Sequence, residues 1–308
     1  MAVFRLGLVG AGRMGQTHLR ALQTSFRARV VAVTEPVAAT RHALDAPGVT
    51  VHAELDAMLD AGGLDGVLVA APSDRHLALV ERLAAAGLPI LCEKPCGVTA
   101  EQARAASRIA SASGVALQVA YWRRFVPALQ SLRRRMLNGD MGGLYFVTCH
   151  QWDATPPSVS FRACSGGIFV DMGVHEFDQL RWLTGQEITA VHTIASKVPG
   201  EDKVPGDAES AQALCALSAG SSGLVALGRR FPVGDICQVQ VFGTADAEDC
   251  RFLGPPDADA VVQHALRAQA EGFIDLLETR LAPGATAVDA VAALEAAEQA
   301  SRVFAEAK

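Results

Sequence analysis

Phe4-Arg5-Leu6-Gly7-Leu8-Val9-Gly10-Ala11-Gly12-Arg13-Met14-Gly15-Gln16 decides how the first part of this chain folds. Phe4 to Val9 is an apolar run that reads as a buried strand. Glycines follow at 10, 12 and 15, and a helix is expected from about Gln16. Strand, G-x-G-x-x-G and helix, in that order, form the context of a dinucleotide phosphate loop. Gly10 permits the tight turn. Gly12 lets the backbone approach a pyrophosphate, and Gly15 lets the helix pack closely on the strand. The open N–H groups of the helix start, around Arg13 and Met14, complete the phosphate site. An acid, Glu35, stands twenty residues past Gly15, at the end of the next strand. Its carboxylate can accept from both ribose hydroxyls and would repel a 2′-phosphate. Pro36 follows it, not a basic residue, so NAD is preferred over NADP, although Arg41 lies within reach of an adenosine.

Outward from this loop, strands and helices alternate. Further strands are expected at Val30–Val33, Val49–Val51, Gly66–Ala70, Pro89–Cys92 and Ala116–Val119, with helices at Arg75–Ala86 and Ala100–Ala112. The pattern predicts an α/β fold, with a doubly wound parallel sheet of the Rossmann type over residues 1–120. The alternation then stops. A helix at Pro127–Leu137 precedes strands at Leu144–His150, Ile188–Ser196, Ser210–Leu217, Gly223–Arg230 and Gln238–Phe242. Gly200 to Gly206 reads as a loop, and Ala219-Gly220-Ser221-Ser222 as a hairpin turn. Helices at Ala260–Thr279 and Ala287–Glu306 close the chain. Residues 121–308 are therefore expected to form an α+β domain on an open, mainly antiparallel sheet. The last helix fits either domain.

The 308 residues are half apolar and carry a formal net charge of -6, with no basic run longer than Arg133-Arg134-Arg135. That pattern speaks against a nucleic-acid footprint and against a polybasic membrane anchor. No apolar run is long enough to span a bilayer. The seven cysteines show neither a CxxC pair nor zinc spacing. They read as reduced, buried thiols, which with the leaderless start implies a cytoplasmic address and no metal.

Two further segments carry chemistry. Glu93-Lys94-Pro95 follows a strand directly, at the sheet end where ligands bind in doubly wound folds. A lysine there can bond a substrate oxygen as negative charge develops on it. Ala71-Pro72-Ser73 ends the preceding strand in the same way and, with His76, is placed beside the cofactor. In the second half, Gly166-Gly167 makes a sharp turn into a helix expected from about Ile168 to Thr184. Asp171 and His175 lie one turn apart on it. A carboxylate so placed can orient an imidazole, which titrates near neutrality and can move a proton. Asp178 shares the stripe and reads as structural.

Taken together, Gly10-x-Gly12-x-x-Gly15, Glu93-Lys94-Pro95 and Gly166-Gly167-x-x-x-Asp171-x-Gly173-x-His175-x-x-Asp178 resemble the glucose–fructose oxidoreductase / inositol dehydrogenase / MocA family over essentially the whole chain. The resemblance implies a two-domain NAD(P)-dependent oxidoreductase whose second sheet often forms contacts between copies, as a dimer or tetramer. It implies that Lys94, Asp171 and His175 are the catalytic lysine, aspartate and histidine. Glu93 and Lys94 would also touch the cofactor. Tyr121-Trp122-Arg123-Arg124-Phe125 and Trp152-Asp153-Ala154 are similar to stretches of inositol 2-dehydrogenases. The similarity puts Trp122, Arg123 and Asp153 with Lys94, Asp171 and His175 against a polyol or sugar substrate, and Arg123 also near the nicotinamide. The chain departs from those enzymes at Trp152, Ala154 and Glu176. Near Phe231-Pro232-Val233-Gly234-Asp235 it lacks their pocket tyrosine. A cyclitol, an amino- or keto-inositol, or an aldose fits such a pocket. Relatives that use NAD transiently to cleave glycosides, and a non-catalytic dinucleotide sensor, are the alternatives.

Overall fold

The strand that opens the chain is apolar on both faces, and it lies in the middle of a sheet covered on both sides, where Leu6 and Leu8 are wholly buried. In chain order the computed structural model places β1 (Phe4–Val9), α1 (Arg13–Leu22), β2 (Ala28–Thr34), α2 (Ala38–His42), β3 (Thr50–His52), α3 (Leu55–Ala61), β4 (Gly66–Val69), α4 (His76–Ala85), β5 (Ile90–Glu93), α5 (Ala100–Ala112) and β6 (Leu117–Ala120). There follow α6 (Pro127–Leu137), β7 (Leu144–Trp152), α7 (Val159–Cys164), α8 (Val174–Thr184), β8 (Ile188–Ser196), β9 (Ser210–Leu217), β10 (Ser222–Gly228), β11 (Ile236–Gly243) and β12 (Ala247–Leu253). Last come α9 (Ala258–Thr279), β13 (Ala285–Thr286) and α10 (Ala287–Glu306). The structure describes residues 3–196, 204, 207–281 and 283–306, so most of the loop expected over Gly200–Gly206 lies outside the described residues.

The first sheet has the order β13-β6-β5-β4-β1-β2-β3. Its strands run parallel except β13, which pairs antiparallel with β6. The sequence of β1 to β6 reverses direction at β1, the switch point at which doubly wound sheets bind ligands. Leu6, Leu8, Val33, Leu68 and Leu91 meet Phe273 and Ile274 of α9 in its core. Phe273 sets its ring edge-on to Phe4, centroids 6.3 Å apart.

The second sheet has the order β12-β11-β7-β10-β9-β8. It is antiparallel except between β10 and β7, where Val225 faces Cys149 in a parallel pair. Its edge strand β12, Ala-Glu-Asp-Cys-Arg-Phe-Leu, has no place in the sequence reading, because its polar alternation resembles a loop. Pairing with β11 supplies its ladder.

Two compact units result. One contains Met1–Gly97, Glu101–Trp122 and Val262–Val291, and the other Val98–Ala100, Arg123–Val261 and Ala292–Lys308. The expected uninterrupted second domain over 121–308 is thereby corrected. Residues 262–291 return to the first unit, because Phe273 fills its core and β13 extends its sheet.

Candidate active site

In the first unit, Gly10 has a φ of +93°, and a side chain there would strike the Ala70 carbonyl. Only glycine tolerates both demands. At Gly15 a Cβ would lie 2.1 Å from the Gly10 carbonyl oxygen, so the helix sits directly on the loop. Gly12 differs: it is exposed, and a Cβ there would meet nothing within 4 Å. Gly12 also begins α1, which no side chain caps and whose first turn holds no acid. Exposed Arg13 and half-buried Met14 occupy that first turn. Open space before uncapped N–H groups suits a pyrophosphate.

Glu35 closes the loop from the end of β2. Its Oε2 accepts the Ala11 N–H at 2.8 Å and its Oε1 the Val37 N–H at 2.9 Å. Each carboxylate oxygen keeps a second lone pair for a ribose hydroxyl. Arg41 turns back on the backbone instead, its Nη1 donating to the Glu35 and Pro36 carbonyls at 2.7 Å each. This donor set fits NAD better than NADP. Replacing Glu35 with Ser should weaken NADH binding about tenfold and narrow its advantage over NADPH, as parallel fluorescence titrations would read.

Lys94 is half-buried after β5. Glu93 beside it is 5 % exposed. Its Oε1 meets Nε2 of the fully buried His18 at 2.7 Å, and its Oε2 accepts the Lys94 N–H at 3.2 Å. The dinucleotide helix α1 thus holds the backbone of Lys94 through one carboxylate. His18 escaped the sequence reading because a lone histidine on a helix carries no signal of its partner. His76 is 1 % exposed and acts as a strut, with Nδ1 2.8 Å from the Pro95 carbonyl and Nε2 2.8 Å from that of Ala71. It ties the turn after β4, where Ala71, Pro72 and Ser73 remain partly or fully exposed, to the turn carrying Lys94. Glu93 and His76, both expected beside the cofactor, thus each brace the turn that carries Lys94. Trp122 is 8 % exposed, in a short turn after β6.

In the second unit, Gly166 and Gly167 both have φ above +80°, and the chain enters a π turn over Phe169–Gly173 before α8 begins. The single helix expected from Ile168 is widened there, a feature common at functional sites. Asp171 lies in this turn and His175, 8 % exposed, in the first turn of α8. The Nη1 of fully buried Arg229 donates to Asp171 Oδ2 at 2.8 Å. Arg229 follows β10 and had no sequence signal, since its partner stands 58 residues away.

Arg123 is 3 % exposed, and its guanidinium pairs with buried Glu176 and stacks over Phe252. Its Nη2 also donates to Gln151 Oε1 at 2.7 Å, and Gln151 Nε2 in turn donates to Asp153 Oδ1 at 2.9 Å. These bonds tie Arg123, expected near nicotinamide and substrate, to Asp153 through Gln151 and to Glu176, the residue next to His175. Neighbouring Arg124 grips Asp178 with two bonds, of 2.9 and 2.5 Å, so Asp178 is structural. Burial pushes the Asp153 carboxyl above its ordinary range; the Gln151 bond and Arg229 oppose the shift, while Asp235 and Asp171 add to it. Trp152 and Phe231 lie 6.4 Å apart ring to ring beside Asp153.

Burial pushes the thiols of Cys149 and Cys237 up to about 12, consistent with inert packing. Among the described residues, no three His, Cys, Asp or Glu are arranged to hold a metal ion. No described helix is long and apolar enough to cross a membrane.

Comparison with known proteins agrees with this geometry. Residues 4–121 match the oxidoreductase family with an NAD-binding Rossmann fold, and residues 129–247 the GFO/IDH/MocA C-terminal domain. The chain is 54% identical to the rhizopine catabolism protein MocA of Rhizobium meliloti, over 99% of this chain and 96% of that protein. It is 33% identical to an inositol 2-dehydrogenase of Rhizobium meliloti strain 1021, over 98% and 97% of the two chains. The scyllo-inositol dehydrogenase of Lactobacillus casei, solved with NAD(H) and scyllo-inositol, superposes with a TM-score of 0.88 at 25% identity, covering 100% of this chain and 98% of the other. The chain therefore belongs to the Gfo/Idh/MocA family of NAD-binding oxidoreductases.

Proposed function

We propose that this dehydrogenase oxidises a secondary alcohol of a cyclitol or closely related sugar, reversibly, with His175 as the general base. The observation that carries the reading is the acid set around Asp171. Arg229 fixes that carboxylate four positions before His175, and half-buried Asp153 adds a second acceptor. NAD supplies the hydride acceptor. His175 takes the hydroxyl proton, and Asp171 steadies the imidazolium that forms. Lys94 donates to the same substrate oxygen as charge develops on it. Asp153 accepts from neighbouring hydroxyls, which a carboxylate can do in pairs. Kinships to MocA and to an inositol 2-dehydrogenase support a cyclitol over other alcohols. A screen of cyclitols, amino-cyclitols and aldoses with NAD, read by nicotinamide absorbance, tests the assignment. Turnover confined to acyclic alcohols would overturn it.

Asp153 offers a separate check. Its raised carboxyl means that the fold disfavours the charged form. Stability is full below the unfolded carboxyl's range and is lost as pH rises through the folded one. Asp153→Asn should therefore melt no lower than the parent at neutral pH, with any gain vanishing in acid. The substrate KM should rise about tenfold with little change in kcat.

We place the protein in the cytoplasm as a homo-oligomer, a dimer or tetramer through its second sheet. Tyr145, Ile194 and Leu214 of that sheet are 55%, 73% and 56% exposed, which supports such an association. Light scattering of the purified chain would settle its mass.

A further inference from the structure

We infer that Arg229 is a positioning residue for the proton transfer, fixing Asp171 and setting how strongly that carboxylate supports positive charge on His175. The inference rests on the reading of His175 as the base.

Arg229 is wholly buried just past β10. Its Nη1 bonds Asp171 Oδ2 at 2.8 Å, and its Nε lies 3.5 Å from Asp207 Oδ2. Asp207 already has a shorter bond from Arg162 Nε, at 2.7 Å. Arg162 Nη1 meets Glu209 Oε1 at 2.7 Å, and Arg230 Nε meets Glu209 Oε2 at 3.1 Å. The Arg229 N–H donates to the Glu209 carbonyl at 2.8 Å, so the backbone is pinned as well. A buried charge is costly unless well paired. Here Arg229 Nε and Nη2 and Asp207 Oδ1 are buried without a hydrogen-bond partner. The arrangement is therefore poor as a stabilising pair. As a clamp it is specific: the backbone is pinned at Glu209, the side chain is enclosed, and the guanidinium makes its hydrogen bond to Asp171.

The clamp has an electrostatic consequence. Asp171 would stabilise an imidazolium at His175, and Arg229 offsets part of that negative charge. Other charges here are Asp153, which feels both Asp171 and Asp235, Glu176 with Arg123, Asp178 with Arg124, and the Asp207–Arg162–Glu209–Arg230 group. Most of those acids have their own arginine partner; Asp171 has Arg229. Without the guanidinium, His175 would hold its proton to higher pH. A base must be neutral to accept a proton, so the acid limb of kcat/KM would move upward.

The test compares R229Q, R229K, the double variant R229Q/D207N and H175A in NAD-linked cyclitol oxidation across pH. NADH binding is followed by fluorescence and folding by thermal melting. The double variant restores the charge balance of the buried group, in which Arg162 keeps Glu209. R229Q or the double variant should lose about tenfold in kcat/KM at neutral pH, and its acid limb should rise by about half a unit or more. NADH binding should stay within about twofold of the parent. R229K should keep the limb in place and lose several-fold in kcat, because the ammonium lacks the fixed fork. A neutral variant with the parent's profile, or with reduced activity and an unmoved limb, overturns the inference. If neither neutral variant folds, R229K decides, and the parent's kcat in it overturns the clamp. Full activity in H175A would instead overturn the proton-transfer reading itself.

Discussion

His175→Ala should lower kcat for cyclitol oxidation by about 10³-fold, with NADH binding unchanged to within about twofold. The side chain is 8 % exposed in the first turn of α8, and its loss leaves no equivalent base. Asp171 is committed to Arg229, and Asp178 to Arg124. The acid limb of the pH profile should vanish with the imidazole. Lys94→Ala should cost about 10²-fold or more while the limb survives, because the lysine stabilises developing charge and does not accept the proton. Glu93 would still hold the turn, since it bonds the backbone N–H at position 94 and His18. Rates within severalfold of the parent in either variant would contradict the assigned roles.

The second large effect separates two glycines of one motif. Gly12→Ala should leave the melting temperature within about 2 °C, because its Cβ enters open space, yet weaken NADH binding about a hundredfold or more. That space is where the pyrophosphate must approach. Gly15→Ala should do the reverse in origin. Its Cβ would sit 2.1 Å from the Gly10 carbonyl oxygen, so α1 must lift from the loop. A cost of about 3 kcal/mol and a fall of roughly 5–10 °C are expected, with binding lost as a consequence. Differential scanning fluorimetry and NADH fluorescence together distinguish the two. Equal melting losses in both variants would mean that Gly12 serves packing and not the cofactor.

The contrast shows what sequence can carry. The G-x-G-x-x-G spacing specifies a loop, but only the backbone around Gly10 reveals that Gly12 borders open space and that Gly15 packs its helix on the loop. Strands with strong apolar character, such as β1, β8 and β9, were legible from their pattern alone. The polar edge strand β12 and the short β13 were not, because their stability comes from a neighbour distant in the chain. The same holds for the site. Lys94, Asp171 and His175 lie in recognisable local motifs. Arg229 and His18 do not, since their meaning lies in Asp171 and Glu93, far away in sequence. Arg123 and Arg124 are a related case. A basic pair after a strand resembles a surface feature or a ligand contact, and here both arginines bond acids of α8, far away in sequence. The departure at Glu176 is then intelligible as half of a buried ion pair.

The most direct test of the central claim is to incubate the wild-type protein with NAD and a cyclitol carrying deuterium at the reacting carbon, following reduced nicotinamide. Accumulation of NADH in step with the ketone, slowed by the deuterium at saturating pH, is the expected result. Consumption of substrate with no net NADH, or no turnover of any cyclitol by a protein that binds NADH, would contradict it.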